Sequence, residues 1–251
     1  MNTRRQSLQD IQKHHCKNPN AGLWLDKFIP TQDKNDKEAR SKFISEVSGI
    51  AAPDSYSMFY TRWEKMLDDY KQAGYAIERR EAQVRGRVVL GTGNESVLET
   101  AVTLHRIYGV PYIPGSALKG LAASFARRYC GNDWSEKSEN YKIVFGETDK
   151  SGCVIFFDAM CKASSGSALH TDVLTPHHRD YYMKPNIPPA DWDDPNPVHF
   201  LSATGTYLIA LATSEGGEDW LHSVLEILQN ALGEIGIGAK TSSGYGRMKF
   251  I

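Results

Sequence analysis

Residues 233–247 read Gly-Glu-Ile-Gly-Ile-Gly-Ala-Lys-Thr-Ser-Ser-Gly-Tyr-Gly-Arg, with five glycines in fifteen positions. Glycine tolerates positive φ, so successive N–H groups can turn toward one anion. Lys240 and Arg247 add charge, and Thr241, Ser242, Ser243 and Tyr245 add hydroxyls. The chemistry this combination serves is the non-covalent grip of a phosphate, with Gly236, Gly238 and Gly244 allowing close backbone approach. The segment differs from a nucleotide-binding P-loop on two counts. That motif needs glycine directly before lysine, where Ala239 stands, and it leads from a strand into a helix. Here a helix is expected before the segment and a strand after it, which excludes an ATPase. A glycine-rich turn that serves chain geometry alone is the competing reading.

Other chemistry-bearing residues form no recognisable constellation. His14, His15 and Cys16 make one group, and His170, Asp172, His177, His178 and Asp180 another. Neither has the ligand spacing of a zinc site, so no metal and no other cofactor is expected. Cys16, Cys130, Cys153 and Cys161 include no C-x-x-C pair, and a chain this long folds without disulfides. Reduced thiols and a cytoplasmic location follow as expectations. A net charge of −1 and a pI near 6.7 argue against a free-standing, non-specific nucleic-acid binder. They leave room for local basic patches, because charges more than about 8–10 Å apart are screened in physiological salt. No apolar run reaches the roughly 20 residues of a membrane-spanning helix, and residues 1–10 lack the apolar core of a secretory signal. No membrane partner is expected.

The elements that must position the glycine-rich segment can be read from periodicity. Residues 1–50 are polar, with Trp24, Leu25 and Phe28 as an apolar spot among short helices and loops. Tyr56, Phe59, Tyr60, Trp63, Met66, Leu67 and Tyr70 recur at helical steps, a core-facing stripe capped by Asp54 or Ser55 and closed by Gly74. After a basic stretch at residues 79–87, residues 88–90 read as a strand. Ser116 is placed to cap a helix to about Tyr129, with Leu118, Leu121, Phe125 and Tyr129 on its apolar face. Residues 153–160 and 206–213 read as buried strands. Asp219 is placed to cap a helix carrying Trp220, Leu221, Val224, Leu225, Leu228 and Leu232, closed by Gly233. Residues 246–251 form a last strand. The order strand, helix, strand, strand, helix, strand predicts an α+β, ferredoxin-like fold, a four-stranded antiparallel sheet backed by two helices. A helical N-terminal extension over residues 1–80 precedes the ferredoxin-like domain of residues 81–251. Residues 161–205 interrupt that domain as an insertion too long to be a plain connection.

Ile113-Pro-Gly-Ser-Ala-Leu-Lys-Gly120 at a helix start, together with the C-terminal G-x-G-x-K-[TS]-x-x-G-x-G pattern, resembles the RAMP superfamily of CRISPR-associated proteins. The run Leu169-His-Thr-Asp-Val-Leu-Thr-Pro-His-His-Arg-Asp-Tyr-Tyr182, with the Pro/Asp/Trp stretch to Phe200, narrows the resemblance. It is similar to the sixth RAMP subunit of the Cmr (type III-B) effector complexes, over roughly residues 85–251. The resemblance implies an RRM-like core and a non-catalytic, guide-RNA (crRNA)-binding subunit in antiviral defence. That subunit is expected beside backbone RAMP subunits, near the 3′ part of the guide. Guide RNA is the implied partner, with target RNA and other Cmr subunits as further candidates. Ser116 and Lys119 would join the glycine-rich segment in one phosphate track, since a helix N-terminus offers unpaired N–H groups. Arg127 and Arg128 could extend it or simply face solvent, and Tyr245 could stack a base or pack locally. The insertion would project as a thumb, with His177, His178, Tyr181 and Tyr182 as candidate contacts to splayed bases or to a neighbouring subunit.

An enzymatic alternative stays open. In the target-cutting backbone subunits of this family an Asp after the first strand promotes cleavage, and Glu99 falls near that register. Its longer side chain would displace the carboxylate from the scissile phosphate. A RAMP endoribonuclease that cuts guide precursor or target would rest on Glu99 or His105.

Overall fold

The computed structural model describes residues 19–31, 33, 36–94, 96, 98, 100–163, 168–175, 179–184, 186–193 and 197–251. Glu99, His177 and His178 lie outside the described residues. Three helices come first: α1 (Ala21–Lys27), α2 (Lys37–Ser48) and α3 (Asp54–Gln72). Strand β1 (Ala76–Val84) follows, then the two-residue β2 (Tyr112–Ile113) and helix α4 (Gly115–Tyr129). Helix α5 (Glu139–Phe145) leads into the small hairpin β3 (Gly146–Glu147) and β4 (Lys150–Ser151). Strands β5 (Ile155–Phe156) and β6 (Ala159–Cys161) return to the main sheet. The insertion contributes β7 (Leu169–Leu174), α6 (Arg179–Met183) and β8 (Val198–Ala203). Strand β9 (Thr206–Thr213), helix α7 (Glu218–Glu234) and β10 (Met248–Phe250) complete the chain.

The main sheet has the order β10-β1-β9-β6-β2, with β5 also on β9, and its paired strands run antiparallel. Taking β5 and β6 as one broken strand, that is the interleaved order of a ferredoxin-like fold, as the element pattern predicts. Strand β9 is the centre, and from Tyr207 to Thr213 every residue is buried. Helices α4 and α7 pack together against one face of the sheet, with Leu118, Ala122, Phe125 and Ala126 of α4 buried, and Val224, Leu228 and Leu232 of α7. Helix α3 covers the other face. Its Asp68 bonds Arg79 of β1 at 2.6 Å, its Tyr56 hydroxyl donates to the Cys161 carbonyl at 2.5 Å, and Tyr70 meets Phe157 edge-on. Trp24, Leu25 and the α2 residues Phe43, Ile44 and Val47 are part of the same core.

Several sequence expectations need correction. The first sheet strand is Ala76–Val84, not residues 88–90; Val88 makes only an isolated bridge to Ala203. Residues 88–90 are buried because they thread between the insertion and the C-terminal loop. The 153–160 run breaks into β5 and β6 around Phe157 and Asp158, where the chain bends to meet the start of α4. The helix starts at α3, α4 and α7 have Pro53, Pro114 and Gly217 at the cap position. Asp54, Ser116 and Asp219 therefore sit within the first turn rather than capping it. Tyr129 is exposed, and the last strand is Met248–Phe250. Strand β1 crosses the 80/81 boundary, and the insertion has an ordered stem, β7 paired with β8 from Leu169↔Ala203 to Leu174↔Val198.

Candidate nucleic-acid interface

Helix α7 delivers the chain into the glycine-rich loop, and most of its glycines answer first to packing. The two arms of the loop pass so closely that a Cβ at Gly246 would collide with the Ile237 carbonyl. One at Gly236 would meet the Tyr245 carbonyl, and one at Gly238 the Val89 carbonyl. All three have positive φ. Gly244, also at positive φ, faces open space. Many of the amides are spent on the protein as well. Ile237 donates to Gly246 (2.9 Å), Ala239 to Val89 (2.8 Å), and Gly246 to Arg87 (2.7 Å).

Lys240, Thr241 and Ser242 are different. Their N–H groups have no acceptor among the described residues. Lys240 is the one non-glycine residue at positive φ among those described, with φ 59 and ψ 30. A single 3-10 turn (Thr241–Ser243) follows, closed by Ser243 N–H to the Lys240 carbonyl at 2.9 Å. A left-handed residue followed by a right-handed turn is the backbone pattern of a nest, in which consecutive N–H groups face one concavity. A left-handed L residue costs about 1–2 kcal/mol, so the conformation must be held by its surroundings. Ser242, Ser243 and Gly244 are exposed around it.

The larger side chains of the loop are tied inward. Tyr245 donates its hydroxyl to Asp172 on β7 at 2.7 Å, and its ring centroid lies 6.3 Å from that of Phe200 on β8. Burial, helped by the Asp172 bond and opposed by the Arg87 charge, pushes Tyr245 up to about 12. Tyr245 is thereby tied to the insertion stem. Lys240 Nζ lies 6.0 Å from the centre of the Phe200 ring, the outer limit of a cation–π contact. Arg247 Nη1 donates to the Gly233 carbonyl at 3.2 Å, supplying a cation to the negative end of α7. The loop and the insertion stem thus form one unit. Sequence reasoning missed Arg85 and Arg87 at this place. Arg85 N–H donates to the Arg247 carbonyl at 2.7 Å, and the Arg87 carbonyl accepts from Gly246. The basic run at residues 79–87 was their signal, but nothing in sequence joins it to a loop some 150 positions later.

Ser116 and Lys119 line a separate groove with Glu136, Tyr141, Lys142 and Glu147, none of which belongs to the glycine-rich loop. The first N–H of α4, at Gly115, donates to Asp158 Oδ1 at 2.7 Å, so a carboxylate already sits at this helix end. Arg127 pairs with Glu136 at 3.5 Å. Beyond the insertion stem, Tyr181, Tyr182, Met183 and Trp192 are exposed. His105 lies among aromatic rings, 5.0 Å from Phe59 and from Tyr108. Its Nδ1 accepts the Ile107 N–H at 3.3 Å. Burial lowers its pKa, with Asp158 opposing. Among the described residues no group of three or more His, Cys, Asp or Glu is arranged to hold a metal, and no helix is long and apolar enough to cross a membrane.

A ferredoxin-like sheet with a glycine-rich turn before its last strand defines a class, and the sequence profile agrees: the RAMP superfamily matches residues 81–249, and the chain belongs to that superfamily. Within it, the chain is 28% identical to CRISPR system Cmr subunit Cmr6 of Pyrococcus furiosus, over 84% of this chain and 79% of the relative. It is 23% identical to the Cmr6 subunit of Saccharolobus solfataricus, over 95% and 82% of the two chains. A chain in a cryo-EM structure of the type III-B Cmr-beta complex bound to cognate target RNA shares the fold. The TM-score is 0.68 at 19% identity, covering 100% of this chain and 88% of that one.

Proposed function

We propose that the chain is the Cmr6-type subunit of a type III-B CRISPR effector complex, cytoplasmic, and that it grips guide RNA by its phosphate backbone without cutting it. The observation that carries this reading is the nest at Lys240, Thr241 and Ser242. Three consecutive N–H groups, the first on a left-handed lysine, have no acceptor among the described residues, and Thr241, Ser242 and Ser243 supply hydroxyls to the same turn. Amides, hydroxyls and a lysine charge recognise phosphate oxygens and carry no base preference, which suits a subunit that accepts many guides. Both curated relatives are Cmr6 subunits. Arg247, Gly236, Gly238 and Gly244 keep the loop in shape, and Ser116 and Lys119 form a second, weaker candidate contact. The exposed tip of the insertion, with Tyr181 and Tyr182, is offered to a neighbouring subunit or to RNA. A passive role in cleavage fits the seating of His105 among aromatic rings with one nitrogen already bonded.

The test is photo-crosslinking of guide RNA in the reconstituted complex, combined with Lys240→Gln. Crosslinks to residues 238–244 that weaken in the variant support the reading. A loop free of crosslinks, with guide affinity unchanged in the variant, overturns it.

A further inference from the structure

We infer that the RNA path leaves the nest along the Arg85-Gly86-Arg87 bend toward the insertion stem, and that Arg85 and Arg87 each hold a backbone phosphate. The inference rests on the proposed phosphate grip at Lys240. Four arginines occur in residues 79–87, and the structure treats them in two ways. Arg79 and Arg80 are neutralised by Asp68 at 2.6 Å and Glu78 at 2.9 Å. Arg85 and Arg87 have no carboxylate within ion-pair distance among the described residues.

Their main chain is fixed from both sides. The Arg85 N–H and the Arg87 carbonyl bond the last residues of the glycine-rich loop, each at 2.7 Å. On the other side, Thr204 Oγ1 donates to the Gly86 carbonyl at 3.2 Å, and Val88 and Ala203 exchange two bonds of 2.8 Å. Gly86, at φ 106, makes the bend between the two arginines. A backbone fixed on both sides thus presents two arginines, without a carboxylate partner among the described residues, next to the loop that carries Lys240. Like charges held close together repel, and a polyanion lying across them removes that repulsion while releasing its own counterions. Past Arg85 the surface opens into a polar groove lined by Glu81, Gln83, Lys162, Thr204 and Thr206, in which the Glu81 carboxylate is matched by Lys162. The alternative exit, toward Ser116 and Lys119, meets the Asp158 carboxylate at the start of α4. Phosphates favour the arginine side.

The experiment measures binding of the complex to a single-stranded RNA of guide length across a salt series. It uses Arg85→Gln, Arg87→Gln, Lys240→Gln and Lys119→Gln variants, each checked by thermal melting. Because Arg85 and Arg87 hold their neighbours through main-chain atoms, melting stays at the parent value. Each arginine variant is expected to lower the slope of log K against log salt by about 0.7, the contribution of one phosphate contact on a single strand. Arg85→Lys and Arg87→Lys keep the slope. If Lys240→Gln lowers the slope while both arginine variants match the parent, the path is overturned and the grip at the loop stands. A loss confined to Lys119→Gln overturns both.

Discussion

The left-handed conformation of Lys240 allows stability and binding to be separated by two substitutions at one position. Lys240→Ala and Lys240→Gly both remove the ammonium group and its contact with Phe200, so those losses cancel in a comparison. Alanine keeps the left-handed penalty of about 1–2 kcal/mol, and glycine does not. Glycine returns about 0.4–1 kcal/mol through the greater freedom of its unfolded chain. At the middle of both ranges the balance leaves the glycine variant more stable than the alanine variant by about 0.8 kcal/mol. In a chain of this size that corresponds to a melting point higher by about 1–4 °C. On the proposed phosphate grip, guide binding does not separate the two variants, because both lose the lysine charge and give the same reduced salt slope. Differential scanning fluorimetry of the purified chain reads the first quantity and filter binding the second. An alanine variant as stable as the glycine variant would refute the reasoning. It would mean that the left-handed conformation of Lys240 carries no stored cost.

Gly246→Ala is expected to destabilise by more than about 2 kcal/mol, since the Cβ meets the Ile237 carbonyl at positive φ. Gly244→Ala faces open space and should cost only the left-handed penalty less the entropy gained in the unfolded chain, about 0.8 kcal/mol net, so urea midpoints will rank the two. Tyr245→Phe removes the bond to Asp172 and is expected to cost about 1 kcal/mol at this partly solvated site. With Tyr245 pushed up to about 12, above the ordinary value near 10, its bond contributes fully below about pH 10 and is lost as pH rises toward 12. The parent should therefore lose more stability than the Phe variant over that window, as read from urea midpoints. His105 has a depressed pKa, so its neutral ring stabilises the fold above about pH 6.5 and that contribution fades as pH falls. His105→Phe should flatten the acid side of a stability profile measured from pH 7.5 to about 5.

The helices were legible because burial on one side writes a 3.6-residue rhythm: Tyr56, Tyr60, Trp63 and Leu67 of α3, and Leu221, Val224, Leu228 and Leu232 of α7, are all buried. Strand β1 was not. Its sequence, AIERREAQV, shows little apolar alternation. One of its polar residues, Arg79, is held by Asp68 of α3, and the ladder with β9 supplies the rest. Residues 88–90 look like a strand because they are buried, yet burial between two loops is not pairing. Composition located the glycine-rich loop but could not tell which glycines serve packing and which leave amides free, since that depends on carbonyls at Val89 and Arg87. The carboxylate at the start of α4 comes from Asp158, 43 residues after Gly115, a distance no local capping pattern spans.

Helix α3 also ties the residues before the superfamily match to the sheet. Cutting the chain at residue 81, where the superfamily match begins, would strip five residues from β1 and bare Ala210 and Ala212 on the central strand. It would also remove Tyr56, whose hydroxyl donates to the Cys161 carbonyl. With that helix in place, Asp68 and Tyr56 stay tied to Arg79 of β1 and to the Cys161 carbonyl of β6, so the helix and the sheet form one packed unit.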